Sequence, residues 1–324
     1  MIHKYLTFHS FLVPIVFWLI STFLFQIVFH IPEVIANENT VIIIRGQEIT
    51  AYNKVIAGFE KGCNERNIFI EKIYDLKGDV EEGKKVIQSI KANKQKPDLI
   101  FAVGILAAVL SKIQFTNIPI IFCMVINHER FNLQGANITC ISTEVSVEDQ
   151  FAFLKELFGT VRNVGVIYDP LKTRNIISKA IPVAKKFEFN LIKAEITSNK
   201  EVTSALKKIA NEIDVLWIIP DSTVITRSSL SVILETALKH RLPTFCTSGV
   251  IVKEGAIASI SPDYTDIGIK AARMAQTLLN SPTVISLGIK QPDKLRLSLN
   301  IQTANKIGID ISSIQSRPNV VLYP

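Results

Sequence analysis

A chain of 324 residues is longer than one hydrophobic core usually organises, so two domains are the first expectation. Hydrophobic residues make up 48% and charged residues 20%, which suits buried parallel sheets and excludes a disordered chain. The formal charge is +7, but the lysines are scattered and no Arg/Lys block interleaves with aromatics, which excludes nucleic acid as the partner and leaves a solvated basic surface.

In chain order, His3 and Lys4 precede an apolar run, Leu6–Phe29, and Val34-Ile35-Ala36 follows it. This is the pattern of an export signal cleaved after Ala36, so residues 1–36 are read as a signal peptide. The body then lies in the periplasm or its extracytoplasmic equivalent. A run of this length is also long enough to be kept as a membrane anchor. Four cysteines, Cys63, Cys123, Cys140 and Cys246, include no CxxC pair, and none stands just after the apolar run where a lipid anchor requires one. Cys123 and Cys246 end apolar strands, where a buried free thiol is the commoner state.

Val41–Arg45 reads as a buried strand, and Gly46-Gln47-Glu48 turns into a helix with Tyr52, Val55, Ile56, Phe59 and Cys63 on one face. Ile68–Tyr74 is a strand and Val80–Lys91 a helix. A unit then occurs twice. Pro97–Cys123 runs from Asp98 through the strand Leu99–Val103, a turn at Gly104, and Ile118-Pro119 into a strand ending Phe122-Cys123. Ile213–Cys246 repeats the order, with a strand at Val215–Ile219 and the turn Pro220-Asp221-Ser222-Thr223. Its helix carries Leu230, Ile233, Leu234, Ala237 and Leu238, and Leu242-Pro243 leads to Phe245-Cys246. Between the copies lie a strand at Gly135–Ile141, a crossover at Ile141–Val147 and a helix over 148–158. The strand Val164–Tyr168, ending at Asp169-Pro170, the strand Leu191–Ala194 and the helix Val202–Ala210 follow. Beyond the second copy come strands Ile257–Ile260 and Leu295–Leu299 and helices Asp266–Leu279 and Thr303–Ile307. Ser312–Pro324 has weak periodicity and reads as a tail. Strands alternating with helices predict an α/β fold with parallel sheets, and the repeat predicts two alike halves facing across a cleft.

Beyond the signal, His128 and His240 are the only histidines and lie far apart, so no metal site is expected. Neither a P-loop, a GxGxxG fingerprint nor a GxSxG elbow occurs, and neither a cofactor nor catalysis is expected. In open parallel sheets, ligands bind beyond the carboxyl ends of the strands. The candidate ligand-binding residues at those ends are Gln47, Glu48, Tyr52, Gly104, Ile105, Met124, Thr143, Tyr168, Asp169, Asp221, Ser222 and Thr247. Gly104 and Ser222-Thr223 precede helices whose unpaired N–H groups could receive a carboxylate. Glu48 and Asp221 could meet a ligand ammonium, and Tyr52 or Tyr168 could wall the pocket. Asp221 is the foremost candidate, because it ends a strand whose turn opens a helix and its charge is unpaired in the sequence. The competing roles are helix capping for Asp221 and Ser222, a core position for Tyr52 and a solvated surface for Glu48.

The segments GFEKGCNERN, VGILAA, IPIIFCMV, NITCIST, VGVIYDP, VLWIIPDSTV, LPTFCTSGVIVKEGAIASISPDYTDIGIKAARMA and LSLNIQTANKIGI occur in this order between about Thr40 and Ile309. They resemble the substrate-binding proteins of ABC transporters, in the family that includes tryptophan- and tyrosine-binding members. The resemblance implies a type I periplasmic-binding fold, with two Rossmann-like lobes, a three-crossover hinge and a small-molecule ligand closed between them. The expected lobes are 38–143 plus 262–288 and 144–261 plus 289–315, with 316–324 as a tail. Hinges are expected near Ser142–Ser146, Ile260–Pro262 and Lys290–Leu295. The implied function is capture of an amino acid or related compound by a monomer and delivery to an ABC permease in the membrane. Ile105 stands where family members often carry Ser or Thr, which removes one hydroxyl that could hold a carboxylate. The alternative is a membrane-anchored sensor on the same fold, which retention of Leu6–Phe29 would favour.

Overall fold

The strand β1 (Thr40–Arg45) is β-branched at Val41–Ile44, and all four side chains are buried, as a strand covered on both faces requires. The computed structural model describes residues 39–324, which form one compact unit; the signal-peptide expectation lies outside the described residues. After β1 come α1 (Thr50–Asn64), β2 (Phe69–Asp75), α2 (Val80–Ala92), β3 (Leu99–Val103), α3 (Ile105–Gln114), β4 (Ile120–Cys123) and β5 (Ile138–Ile141). The chain continues with α4 (Val147–Phe158), β6 (Asn163–Tyr168), α5 (Pro170–Lys186), β7 (Asn190–Glu195), α6 (Val202–Ile209), β8 (Val215–Ile218), α7 (Arg227–Lys239), β9 (Thr244–Cys246), α8 (Gly249–Lys253) and β10 (Ala258–Pro262). It closes with α9 (Tyr264–Leu279), β11 (Ile289–Lys290), β12 (Leu295–Asn300), α10 (Ile301–Ile307), α11 (Ser312–Gln315) and β13 (Val320–Tyr323).

Two sheets result, one in each lobe. The first has the order β11-β5-β4-β3-β1-β2 and is parallel throughout. The second has the order β13-β12-β10-β9-β8-β6-β7 and is parallel except that β12 runs against β10. The inner orders β2-β1-β3-β4-β5 and β7-β6-β8-β9-β10 are equivalent, so the repeated sequence unit occupies equivalent strands in the two lobes.

Period-two alternation divides each core. Val41, Ile43, Leu99 and Phe101 face α1 and α9, whereas Ile42, Ile44, Ile100 and Ala102 face α2 and α3. In the second lobe Val164, Val166, Val215 and Trp217 pack with Phe151 of α4 and Ala180 of α5, while Leu216 and Ile218 pack with Leu206 of α6 and Ile233 of α7. The Trp217 indole N–H donates to Gln150 at 2.9 Å, so its burial leaves no orphan donor. Among the described residues four apolar clusters form the cores, and 39–324 is one compact unit. All four cysteines are buried free thiols.

The chain crosses between lobes three times, through 142–146, at Asp263 and through 291–294. The second crossing delivers α9 from the second sheet onto α1 of the first lobe. The helices touch backbone to backbone: a Cβ on Gly268 would lie 2.0 Å from the Val55 carbonyl oxygen, and one on Gly58 would lie 2.1 Å from that of Thr265. The second and third crossings are fastened together by Asp263 N–H to the Lys294 carbonyl at 2.9 Å and by ion pairs Arg296–Asp263 at 2.6 Å and Lys294–Asp266 at 3.3 Å.

Three expectations need correction. Ile289 and Lys290 extend the first sheet beside β5 rather than opening the second lobe, because Cys140 and Ile141 offer them a ladder. The C-terminal tail includes a strand, β13, seated along β12 with Leu297 opposite Val320. Asp221 and Ser222 open no helix; α7 starts at Arg227, where Thr226 and Ser229 cap each other reciprocally.

Candidate ligand-binding cleft

In the first lobe the strand-order switch lies between β1 and β3, where a parallel sheet places its binding crevice. Gly46 and Gly104 end those strands, and Tyr52 of α1 lies against both. Gly104 has φ 94, and a Cβ there would come within 2.5 Å of the Tyr52 hydroxyl oxygen, so the close approach of this ring demands glycine. Burial raises the Tyr52 phenol above its ordinary pKa, and neighbouring Cys123 adds to the rise. No side chain caps α3, so the amides of Ile105, Leu106 and Ala107 at its first turn have no side-chain acceptor. Gln47 is exposed and rests against Gly78. Glu48 is 68% exposed and pairs with Arg45 at 3.3 Å, while Arg45 also pairs with Asp75 at 2.6 Å. Met124 is half-buried with φ 59. The Thr143 hydroxyl is buried without a hydrogen-bond partner among the described residues.

The second lobe fills its corresponding switch, between β6 and β8, with polar groups of its own. Asp221 is 1% exposed and accepts from the N–H groups of Asp169 (2.9 Å), Thr223 (2.9 Å) and Val224 (3.2 Å) and from the Thr173 hydroxyl (2.6 Å). Four donors take up the lone-pair directions of one carboxylate. Asp221 is therefore not unpaired; it ties two strand-end turns together. Asp169 caps α5 through Leu171 N–H at 2.8 Å and accepts from the Thr223 hydroxyl at 2.7 Å. That hydroxyl is the main reason its carboxyl sits below the ordinary carboxylate range. The Tyr168 ring belongs to the core and its hydroxyl donates to Glu195, which corrects its expected place as a pocket wall. Burial, followed by that hydrogen bond, pushes its pKa up to about 12. Ser222 is exposed and Thr247 half-buried.

The carboxyl-end loops of the two sheets meet. Asn127, in the left-handed region at φ 54 beyond β4, donates to the Lys172 carbonyl at 3.2 Å and accepts from Asn175 at 2.8 Å. Its own N–H is held by the Glu144 carboxylate on the first crossing. Glu129 pairs with Lys179 at 3.1 Å, and that hydrogen bond is the largest cause holding its carboxyl below the usual range.

The model of the family described as ABC transporter substrate binding protein matches residues 40–319. The chain belongs to this family. A curated relative, the tyrosine-binding protein of Clostridioides difficile (strain R20291), is 25% identical over 216 residues, which span 64% of this chain and 62% of the relative. A ligand-free, open substrate-binding protein with adhesive properties from Clostridium difficile superposes with a TM-score of 0.77 at 22% identity, covering 88% of this chain and 98% of that one. A Streptococcus pneumonia ABC domain in complex with L-Trp superposes with a TM-score of 0.63 at 17% identity, covering 87% and 100%. The fold shared with these substrate-binding proteins is the type I periplasmic-binding architecture.

In this substrate-binding protein the acidic groups of the second switch are consumed internally. The first-turn amides of α3, the Tyr52 hydroxyl and the hydroxyls of Thr143, Ser222 and Thr247 remain as neutral polar groups at the strand ends. Among the described residues no group of three or more His, Cys, Asp or Glu is placed to hold a metal ion. None of their helices is long and apolar enough to cross a membrane. Sequence reasoning places Asn127 and Thr173 at the ends of the strand-end turns Met124–Asn127 and Asp169–Thr173 without giving either a role, and it misses Asn175, which acts across the lobes and has no local pattern.

Proposed function

We propose that this chain captures an amino acid, with an aromatic side chain the first to test, between its lobes outside the cytoplasm and hands it to an ABC importer without covalent chemistry. The observation that carries the reading is the meeting of the carboxyl-end loops of two alike sheets through Asn127 and Asn175. A solute held between such loops touches both lobes, so it favours the arrangement in which they meet and binding becomes a population shift. The relatives named for tyrosine and bound to L-Trp support the ligand class. So does the chemistry of the strand ends. Amides at the start of α3 suit a carboxylate, without help from a hydroxyl at Ile105, and the Tyr52 ring offers an aromatic face beside them. With Asp169 and Asp221 engaged, the ammonium group would rest on hydroxyls such as Thr143 and Thr247.

Isothermal titration calorimetry of the purified protein against each standard amino acid tests this. Saturable one-to-one binding of tyrosine or tryptophan, weakened about tenfold or more by Tyr52→Ala, is expected, since aromatic anchors commonly contribute above about 1 kcal/mol. Binding of none of them would sink the amino-acid reading.

A further inference from the structure

The first-lobe core beneath α1 and α9 is finished at its edges by partly buried apolar side chains, and these fall into two groups. Ile70 in the first turns of β2, Leu279 at the end of α9 and Leu287 before β11 close the end away from the second lobe. Tyr52, Met124 and Tyr264 close the other end, at the carboxyl ends of the strands. Tyr52 is in the first turn of α1, and Met124 directly follows β4 with φ 59. Tyr264 is the first residue of α9. Since β10 ends at Pro262 and Asp263 alone makes the crossing, this ring stands where the chain enters the first lobe from the second. α9 runs parallel to α1, with Gly58 against Thr265 and Gly62 against Ile269, so both tyrosines lie toward the helix ends nearest the cleft.

The three side chains differ from a sealed core edge. Each is half-buried, so the core covers part of it and leaves the rest open. Among the described residues neither the Tyr52 nor the Tyr264 hydroxyl makes a hydrogen bond, and neither oxygen is shut off from solvent. A tyrosine that only fills a core gives its hydroxyl a fixed partner, as Tyr168 does with Glu195. Burial raises the Tyr264 phenol above its ordinary range, as it does that of Tyr52. Two rings and a thioether on one edge suit a flat aromatic group, because ring–ring and sulfur–ring contacts add to the gain from buried area alone. An aliphatic side chain covers the same area without that addition.

We propose that Tyr264 is a specificity-determining residue of the cleft: with Tyr52 and Met124 it receives the aromatic side chain of the solute and selects flat rings over branched aliphatic groups. This rests on the amino-acid reading above and adds to it the residue that makes the choice. The amides of α3 take the carboxylate, and Tyr264 brings the hinge side of the first lobe to the ring.

Calorimetric titration of the purified protein with tyrosine, tryptophan and leucine tests the proposal on wild type, Tyr264→Leu and Tyr264→Phe. Leucine at this position keeps apolar bulk on the core and removes the ring. Tyr264→Leu is expected to weaken tyrosine and tryptophan by on the order of tenfold while leucine changes by less than about threefold. Tyr264→Phe, which restores the ring, should bring both aromatic ligands back to within about threefold of wild type. Equal weakening of all three ligands, or weakening that Tyr264→Phe does not rescue, would assign Tyr264 to packing and overturn the proposal. Indole and p-cresol carry the ring without the amino-acid end, and saturation-transfer NMR reads their contact with the protein. Their binding to wild type and its loss in Tyr264→Leu would uphold the ring site even where no amino acid binds, a result that fails the amino-acid reading alone. Wild type that binds neither set would sink both.

Discussion

At Asp221 four donors converge on one buried carboxylate, three of them backbone N–H groups and the fourth the hydroxyl of buried Thr173. Asp221→Ala is therefore expected to lower unfolding free energy by about 3 kcal/mol, since buried donors left without an acceptor cost about 1–3 kcal/mol each with partial relaxation. Urea denaturation checks it, and a loss below about 0.5 kcal/mol would show that the network is dispensable. Tyr168 gives a pH signature. Its folded-state pKa is raised from 10.0 to about 12, so the stability supplied by the protonated hydroxyl is complete below pH 10 and lost as pH rises through about 12. Tyr168→Phe should flatten the decline of stability over that window, and an unchanged alkaline slope would contradict the assignment. The thiols of Cys63, Cys140 and Cys246 are pushed up to about 12 chiefly by burial, and burial raises Cys123 as well. The folded protein should therefore resist alkylation by iodoacetamide near pH 8 and react fully only when unfolded. The expectation that Asp221 is unpaired does not hold, for a physical reason. An aspartate ending a strand looks unpaired in one dimension, and its donors come from Thr173 on another turn and from backbone amides that every sequence carries.

The pair α1 and α9 shows what packing demands of an element. A Cβ at Gly268 meets the Val55 carbonyl oxygen at 2.0 Å and the Phe59 nitrogen at 2.5 Å, so Gly268→Ala must push the two helices apart. The expected cost is about 3 kcal/mol or more, read as a lowered melting temperature, with the second lobe's Trp217 environment unchanged by near-ultraviolet circular dichroism below the transition. The helical periodicity of both helices was legible, and so were the strands that alternate between two buried faces. Their contact was not, because glycine announces a turn more readily than a helix crossing. Short elements escaped for a different reason. β11 has two residues and β13 four, too few for any period to show, and both exist because a neighbouring strand offers a free edge. The start of α7 was misplaced because Asp221 and Ser222 resemble a cap, whereas the reciprocal pair Thr226 and Ser229 is the better one.

For the molecule as a whole, the lobes are held against each other by the hydrogen bond of Asn175 to buried Asn127 and by the half-exposed pair Glu129 and Lys179. Such contacts contribute about 1 kcal/mol or less. Asn175→Ala with Lys179→Ala should enlarge the radius of gyration seen by small-angle scattering of ligand-free protein and weaken ligand binding by about fivefold. Identical scattering curves would mean the hinge alone sets the separation. The same threefold crossing has a consequence for how the chain is made. α9 completes the first lobe, yet it is encoded after five of the seven strands of the second. A nascent chain that has reached β10 exposes the Val55, Phe59 and Gly268-facing surface of α1 with nothing to cover it, so the first half to be synthesised is the one that must wait. Such an order of assembly is compatible with the extracytoplasmic role proposed above, in which folding follows passage through a membrane.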